Sequence, residues 1–234
     1  MNEPPSADAQ PIAALPLRAA ATAEQLALHE AGHAVAAVAL GFDLGTVSLS
    51  IGDARLIAGE LVTLPLGDII WWPEGEVVSN ASAVRPTNGN AEQCRRAAVV
   101  ALAGREASRR AYPDVEGQWK GHEAVDRSMA LQHIGYRFPG PVEVIRALNG
   151  DASAKAKAHE AAEETLAPLS EAARQLLAEP ANARALTGLT AFLIQRLSVT
   201  SVPVPDGEPA LVFAADVSGD DARQVILAAG VTPQ

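Results

Sequence analysis

The run His29-Glu30-Ala31-Gly32-His33 carries the most explicit chemistry in this sequence. On an α-helix, side chains four residues apart lie on the same face. His29 and His33 can therefore offer two imidazole nitrogens to one metal ion. Glu30 follows the first of them directly, which sets its carboxylate beside a remaining coordination position, where it can take a proton from a water. Zinc accepts such ligands and lowers the pKa of a bound water towards neutrality, making a nucleophile for a peptide carbonyl. The plain alternative is two structural histidines on a polar helix face.

The element that must hold these residues is a helix from Thr22, an N-cap type residue with Gln25 placed to complete a capping box, to about Leu40. Gly41 suits the C′ position beyond it, and Leu28, Val35, Val38 and Ala39 can form its apolar side. A catalytic zinc needs a third protein ligand. A metzincin extension would want Gly at 36 and His at 39, and both are alanine. Glu60, the nearest downstream acid after Asp53, stands in strand-like sequence and fits a helical ligand poorly. A helix from about His122 to Ile134 offers His122, Glu123, Asp126 and His133. Spacing alone does not choose among them.

Between these helices, Thr46 to Ile51 alternates polar and apolar as a half-buried strand does, and residues 59–64 read as a second strand. Residues 67–90, with Trp71-Trp72-Pro73, Gly75, Pro86 and Asn88-Gly89-Asn90, read as a long loop, either a lid or a partner surface. Helices are expected over 91–111, 142–148, 151–178 and 182–197, with Pro168 kinking or splitting the third. A Pro-rich connector over 199–209 leads to a short strand at 211–214 and a last helix at 220–229. The expected fold is α+β, mainly α-helical, with a small β-ribbon or sheet after the metal-binding helix. Its expected division is a flexible leader at 1–20, a domain at 21–200 and a C-terminal extension at 201–234.

Composition narrows the partners. The chain has 234 residues, 48% of them hydrophobic, with a formal net charge of −10. That charge disfavours nucleic acid and anionic membrane surfaces as partners. Cys94 is the single cysteine, so no disulfide can form within the chain. Neither a secretory leader nor a membrane span is legible, and a cytoplasmic protein is the expectation.

The stretch Leu28-His29-Glu30-Ala31-Gly32-His33-Ala34-Val35 resembles the metal helix of the FtsH-type zinc peptidase domain. Val47 to Leu49 and Gly59 to Pro65 are similar to that domain's next strands, and Ala101 to Ala107 to its following small-residue helix. Gly121 to Ala130 resembles the segment whose aspartate is that family's third zinc ligand. The resemblance spans roughly residues 22–200. It implies a zincin-like fold, a Zn2+ cofactor, His29, His33 and Asp126 as ligands with His122 as the rival third ligand, and Glu30 as the catalytic base. Two positions depart from the pattern: Gly121 stands one residue too far from Asp126, and Arg127 replaces an apolar residue. The phosphate loop of the family's ATPase module is absent from this sequence. The implied activity is therefore ATP-independent hydrolysis of flexible or unfolded polypeptide, with a separate unfoldase or partner and an oligomer as further expectations. A strand edge near residues 59–64 would hold the substrate. The alternative is a weak or inactive binding or regulatory module that keeps the peptidase fold.

Overall fold

The computed structural model describes residues 17–53, 71–112, 120–136, 152–202 and 210–234. The expected strand at 59–64 and helix at 142–148 lie outside these residues, as does Glu60. Six helices and one sheet make up the described chain. They run α1 (Leu17–Ala39), β1 (Leu44–Asp53), β2 (Trp71–Ser79), α2 (Ala91–Ala111), α3 (Lys120–His133), α4 (Ala152–Ala178), α5 (Pro180–Gln195), β3 (Ser198–Val202), β4 (Ala210–Ser218) and α6 (Gly219–Ala228). The fold is mixed α+β and mainly helical, as the patterning predicts.

The first helix is the hub. Ala23, Leu26, Ala27, Ala31 and the run Ala34 to Val38 are all buried, so α1 has apolar contacts on nearly every side. It packs against α2, α5 and both β1 and β2. Small side chains permit this closeness. A Cβ at Gly32 would stand 2.7 Å from the Ala103 carbonyl oxygen of α2 and 2.8 Å from the Ala107 Cβ. The helix stops as its sequence requires. Gly41 has φ of 79°, its N–H bonds Val38 and the Phe42 N–H bonds Ala37, which is the paired ending that a left-handed C′ glycine allows. Its start differs from the expectation. The helix begins at Leu17, so Thr22 is an interior, buried residue rather than the N-cap.

The sheet has strand order β2-β1-β4-β3, all antiparallel. Val47, Leu49 and Ile51 alternate inward along β1, with Phe213, Ala215 and Val217 inward along β4. Two expectations are corrected here. Residues 71–79 of the supposed loop form β2, which pairs with β1 from Ser79 opposite Leu44 to Trp71 opposite Asp53. The reading failed on Pro73 and Gly75, which punctuate most chains, yet proline is tolerated in a strand at a sheet's edge and glycine where another group approaches closely. The connector at 199–209 likewise begins inside β3. Pro168 does not split α4, which runs unbroken from Ala152 to Ala178.

Candidate metal centre

His29 and His33 project from α1 towards α2 and α3, the spacing of one helical turn bringing their rings together with centroids 4.8 Å apart. Helix α2 orients both. The His33 Nδ1 donates to the Val100 carbonyl at 2.8 Å, which leaves its Nε2 lone pair facing inward. The His29 Nδ1 lies 3.3 Å from the Ser108 hydroxyl. Gly104 makes room between them, since a Cβ there would sit 2.3 Å from the His33 Nε2.

Asp126 reaches the same point from α3. Its Oδ2 is 3.4 Å from His29 Nε2, and its Oδ1 is 3.4 Å from His33 Nε2. The two Nε2 atoms are 3.2 Å apart. The three side chains thus converge, their facing atoms 3.2–3.4 Å apart, with each histidine nearest a different oxygen of Asp126. An ion with tetrahedral bonds of about 2.0–2.1 Å holds its ligands about 3.3–3.4 Å from one another, the spacing seen here. The buried Asp126 Oδ2 has no hydrogen-bond partner, although it lies 3.4 Å from the His29 Nε2. A cation between the three side chains would satisfy it, so this buried His/His/Asp group could hold a metal ion.

Asp126 is held in place by an unexpected neighbour. Arg127 pairs with Glu163 of α4 at 2.6 Å, and Glu163 lies 3.4 Å from the buried Arg105 of α2. The charge at 127, where an apolar residue is usual in the resembled pattern, therefore ties α3 through α4 to the helix that orients His33.

Glu30 is buried beside this group under β2. A Cβ at Gly75 would stand 2.4 Å from the Glu30 Oε1. Burial pushes the Glu30 carboxyl up to about 7, opposed by His33 and reinforced by Asp126 and Glu76. Burial also holds His29 well below the imidazole range, against the pull of Asp126. His33 lies above that range, because Asp126, Glu30 and the Val100 carbonyl outweigh its burial. Asp126 is correspondingly depressed despite burial, chiefly by His33.

The other sequence candidates on α3 diverge. His122, one turn before Asp126, sets its ring edge-on to His29 with centroids 5.6 Å apart. Its donor atom lies within 4.8 Å of those of His29 and Glu30, a second overlapping group. Glu123 turns away to Arg109 at 3.0 Å. His133 is buried, and its Nδ1 donates to the Val84 carbonyl at 2.7 Å. Sequence reading missed Val100, Ser108, Gly104 and Gly75. The two glycines carried a signal, because an isolated glycine inside a helix or strand marks a close approach.

His29, Glu30, His33, His122, Asp126 and His133 open into one cleft of about 1340 Å³, walled by the sheet on one side and by α2 and α3 on the other. Among the described residues, no helix is long and apolar enough to cross a membrane. Compared with known protein families and with curated proteins, the sequence matches none.

Proposed function

We propose that this chain is a zinc-dependent endopeptidase that cleaves flexible or unfolded polypeptides without ATP. The observation that carries the reading is the buried group of His29, His33 and Asp126 with the Glu30 carboxylate beside it. Two imidazoles and a carboxylate are a ligand set that zinc accepts in hydrolytic sites, with a position left for substrate or water. When bound, the ion would polarise a peptide carbonyl and acidify a water.

The chain's own residues do the rest. Glu30 accepts a proton from the attacking water as its oxygen bonds to the carbonyl carbon. It then delivers that proton to the amide nitrogen as the C–N bond breaks. Burial raises the Glu30 carboxyl in the metal-free site, and a bound cation would draw it back towards the carboxylate form that accepts the proton. Asp126 and His33 hold the charge at the site, and the Val100 carbonyl fixes the His33 tautomer. Among the described residues, β2 is an end strand of the sheet, and its Gly75 backs directly onto Glu30. An extended substrate adding to that edge would be laid across the base by main-chain hydrogen bonds. On this reading β2, residues 71–79, is the binding edge, while the edge expected near 59–64 lies outside the described residues. A folded domain offers such a strand only when it opens locally.

The test compares wild type with Glu30→Gln for bound zinc and for cleavage of an unstructured casein-like substrate. One zinc per chain in both, with hydrolysis only in wild type, is the expected result. Hydrolysis by Glu30→Gln would remove Glu30 from the base role. Bound zinc without hydrolysis in wild type would favour the binding-module alternative.

A further inference from the structure

Among the described residues, the lining of the cleft is one-sided in charge. It holds five carboxylates, those of Glu30, Glu74, Glu76, Asp126 and Asp216, and no Lys or Arg. A divalent ion in the group of His29, His33 and Asp126 would offset two of these charges, those of Glu30 and Asp126. The other three lie on the sheet. Glu76 of β2 and Asp216 of β4 both stand opposite Ser48 of β1, so they share a sheet face, and Glu74 joins it two residues along β2. All three are exposed, and none has an ion pair among the described residues. Nor do they gather closely enough to form a metal-holding group of their own.

Distance decides which of the three meets a substrate. A strand added at the edge of β2 would lie about 5 Å from β2 and about 14 Å from β4, three strand spacings away. Salt screens exposed charges beyond about 8–10 Å, so Asp216 contributes little. Glu74 and Glu76 are immediate neighbours, and they flank Gly75, the residue that backs onto Glu30. Side chains alternate between the faces of a sheet. The substrate residue opposite Gly75 therefore turns towards Glu30, and its two neighbours come to lie opposite Glu74 and Glu76 on the other face. Opposite charges placed across two strands favour pairing by about 1.4–5-fold each, and like charges oppose it. The carboxylates do not themselves make the site. The β2 edge, Glu30 beneath it and the buried Asp126 Oδ2 without a hydrogen-bond partner do that. Glu74 and Glu76 set the charge of what it accepts.

We propose that Glu74 and Glu76 are specificity-determining residues that select cationic polypeptide, with Lys or Arg on either side of the substrate residue opposite Gly75. The proposal rests on the peptidase reading above and names the substrate class of that same site.

The experiment uses three unstructured fluorogenic peptides, identical but for lysine, glutamine or glutamate at the positions flanking the cleavable pair. The kcat/KM of each is measured, with the Kd of its analogue N-methylated at the central amide. The proteins are zinc-loaded wild type, the Glu74→Gln/Glu76→Gln double variant and Asp216→Asn. Glutamine keeps the size of the side chain at two exposed positions, so the fold is not at risk. Wild type is expected to favour the lysine peptide over the glutamate peptide by about 10-fold at low salt, with the glutamine peptide between them. That ratio should fall to about 2-fold at about 1 M salt, where the screening length is about 3 Å. It should fall as far in the double variant at low salt and persist in Asp216→Asn. Equal rates and affinities for the three peptides in wild type would overturn the proposal. So would a ratio that survives in the double variant or is lost in Asp216→Asn. If wild type hydrolyses none of the peptides, the peptidase reading fails separately and the Kd ratios decide in the same way. No binding of any peptide by wild type then refutes the role of Glu74 and Glu76.

Discussion

Replacing Gly104 by alanine should empty the metal site while leaving the fold intact. The added Cβ would stand 2.3 Å from the His33 Nε2, 2.6 Å from its Cδ2 and 2.8 Å from its Cε1. Unstrained contacts of this kind are about 3.5 Å, so the ring must retreat by about 1 Å. Metal–ligand distances tolerate only about 0.2 Å. The retreat also pulls the His33 Nδ1 from the Val100 carbonyl, now 2.8 Å away. Disturbing an outer partner of a ligand alone costs about 10–100-fold in metal affinity, so displacing the ligand itself should cost at least about 100-fold. The helix does not suffer, because alanine in a helix interior is about 1 kcal/mol better than glycine and the obstructed group is the movable end of a side chain. The assay is zinc titration against a competing chelator, with thermal melts in EDTA and in excess zinc. The metal-free variant should melt no lower than wild type, and zinc should no longer raise its Tm. Zinc affinity within threefold of wild type would show that Gly104 does not set the position of His33.

Gly75→Ala should give the complementary result: zinc retained, but hydrolysis down about 100-fold as the added methyl displaces the Glu30 carboxylate, 2.4 Å from the ideal Cβ. Parallel loss of zinc would contradict it. Asp126→Ala should reduce bound zinc to near zero, measured by elemental analysis after dialysis, because two imidazoles alone make a weak site. In metal-free protein, the rise of the Glu30 carboxyl from 4.5 to about 7 means that the folded state holds this proton where the unfolded state has lost it. That contribution is fully present below pH 4.5 and is lost as pH rises through 7, about 3 kcal/mol in all. Glu30→Gln should remove this slope, so urea melts at pH 5 and pH 8 in EDTA should differ less for the variant than for wild type, and equal slopes would refute the assignment.

The parts of the fold legible in sequence were those governed by local rules. The one-turn spacing of His29 and His33 holds on any helix, and Gly41 ends α1 because only glycine adopts its φ freely. What was illegible depended on distant chain segments. Pro73 and Gly75 read as breakers because their roles come from a sheet edge and from Glu30, more than forty positions earlier. The strand at 210–218 looked shorter than it is, since half of its pattern is explained only by pairing with β1. The choice between Asp126 and His122 was undecidable from spacing, because the two stand one turn apart on α3 and only the crossing of α1 and α3 shows which one meets both Nε2 atoms.

The strand order has a consequence for how the molecule comes into being. β1, one wall of the cleft, is flanked by β2 nearby in sequence and by β4 from almost the other end, with Thr46 opposite Ser218. During synthesis β1 must wait for β4, with Thr46 and Ser218 about 170 positions apart, before the sheet can close. Until then β1 presents a bare row of amides and carbonyls, a template for association with other nascent chains. Pairings of such long range are also slow to form. The sheet that supports Glu30 should therefore be completed late. Chains truncated before residue 210 should be recovered mainly as aggregates, so that an incomplete and unregulated cleft does not accumulate in soluble form.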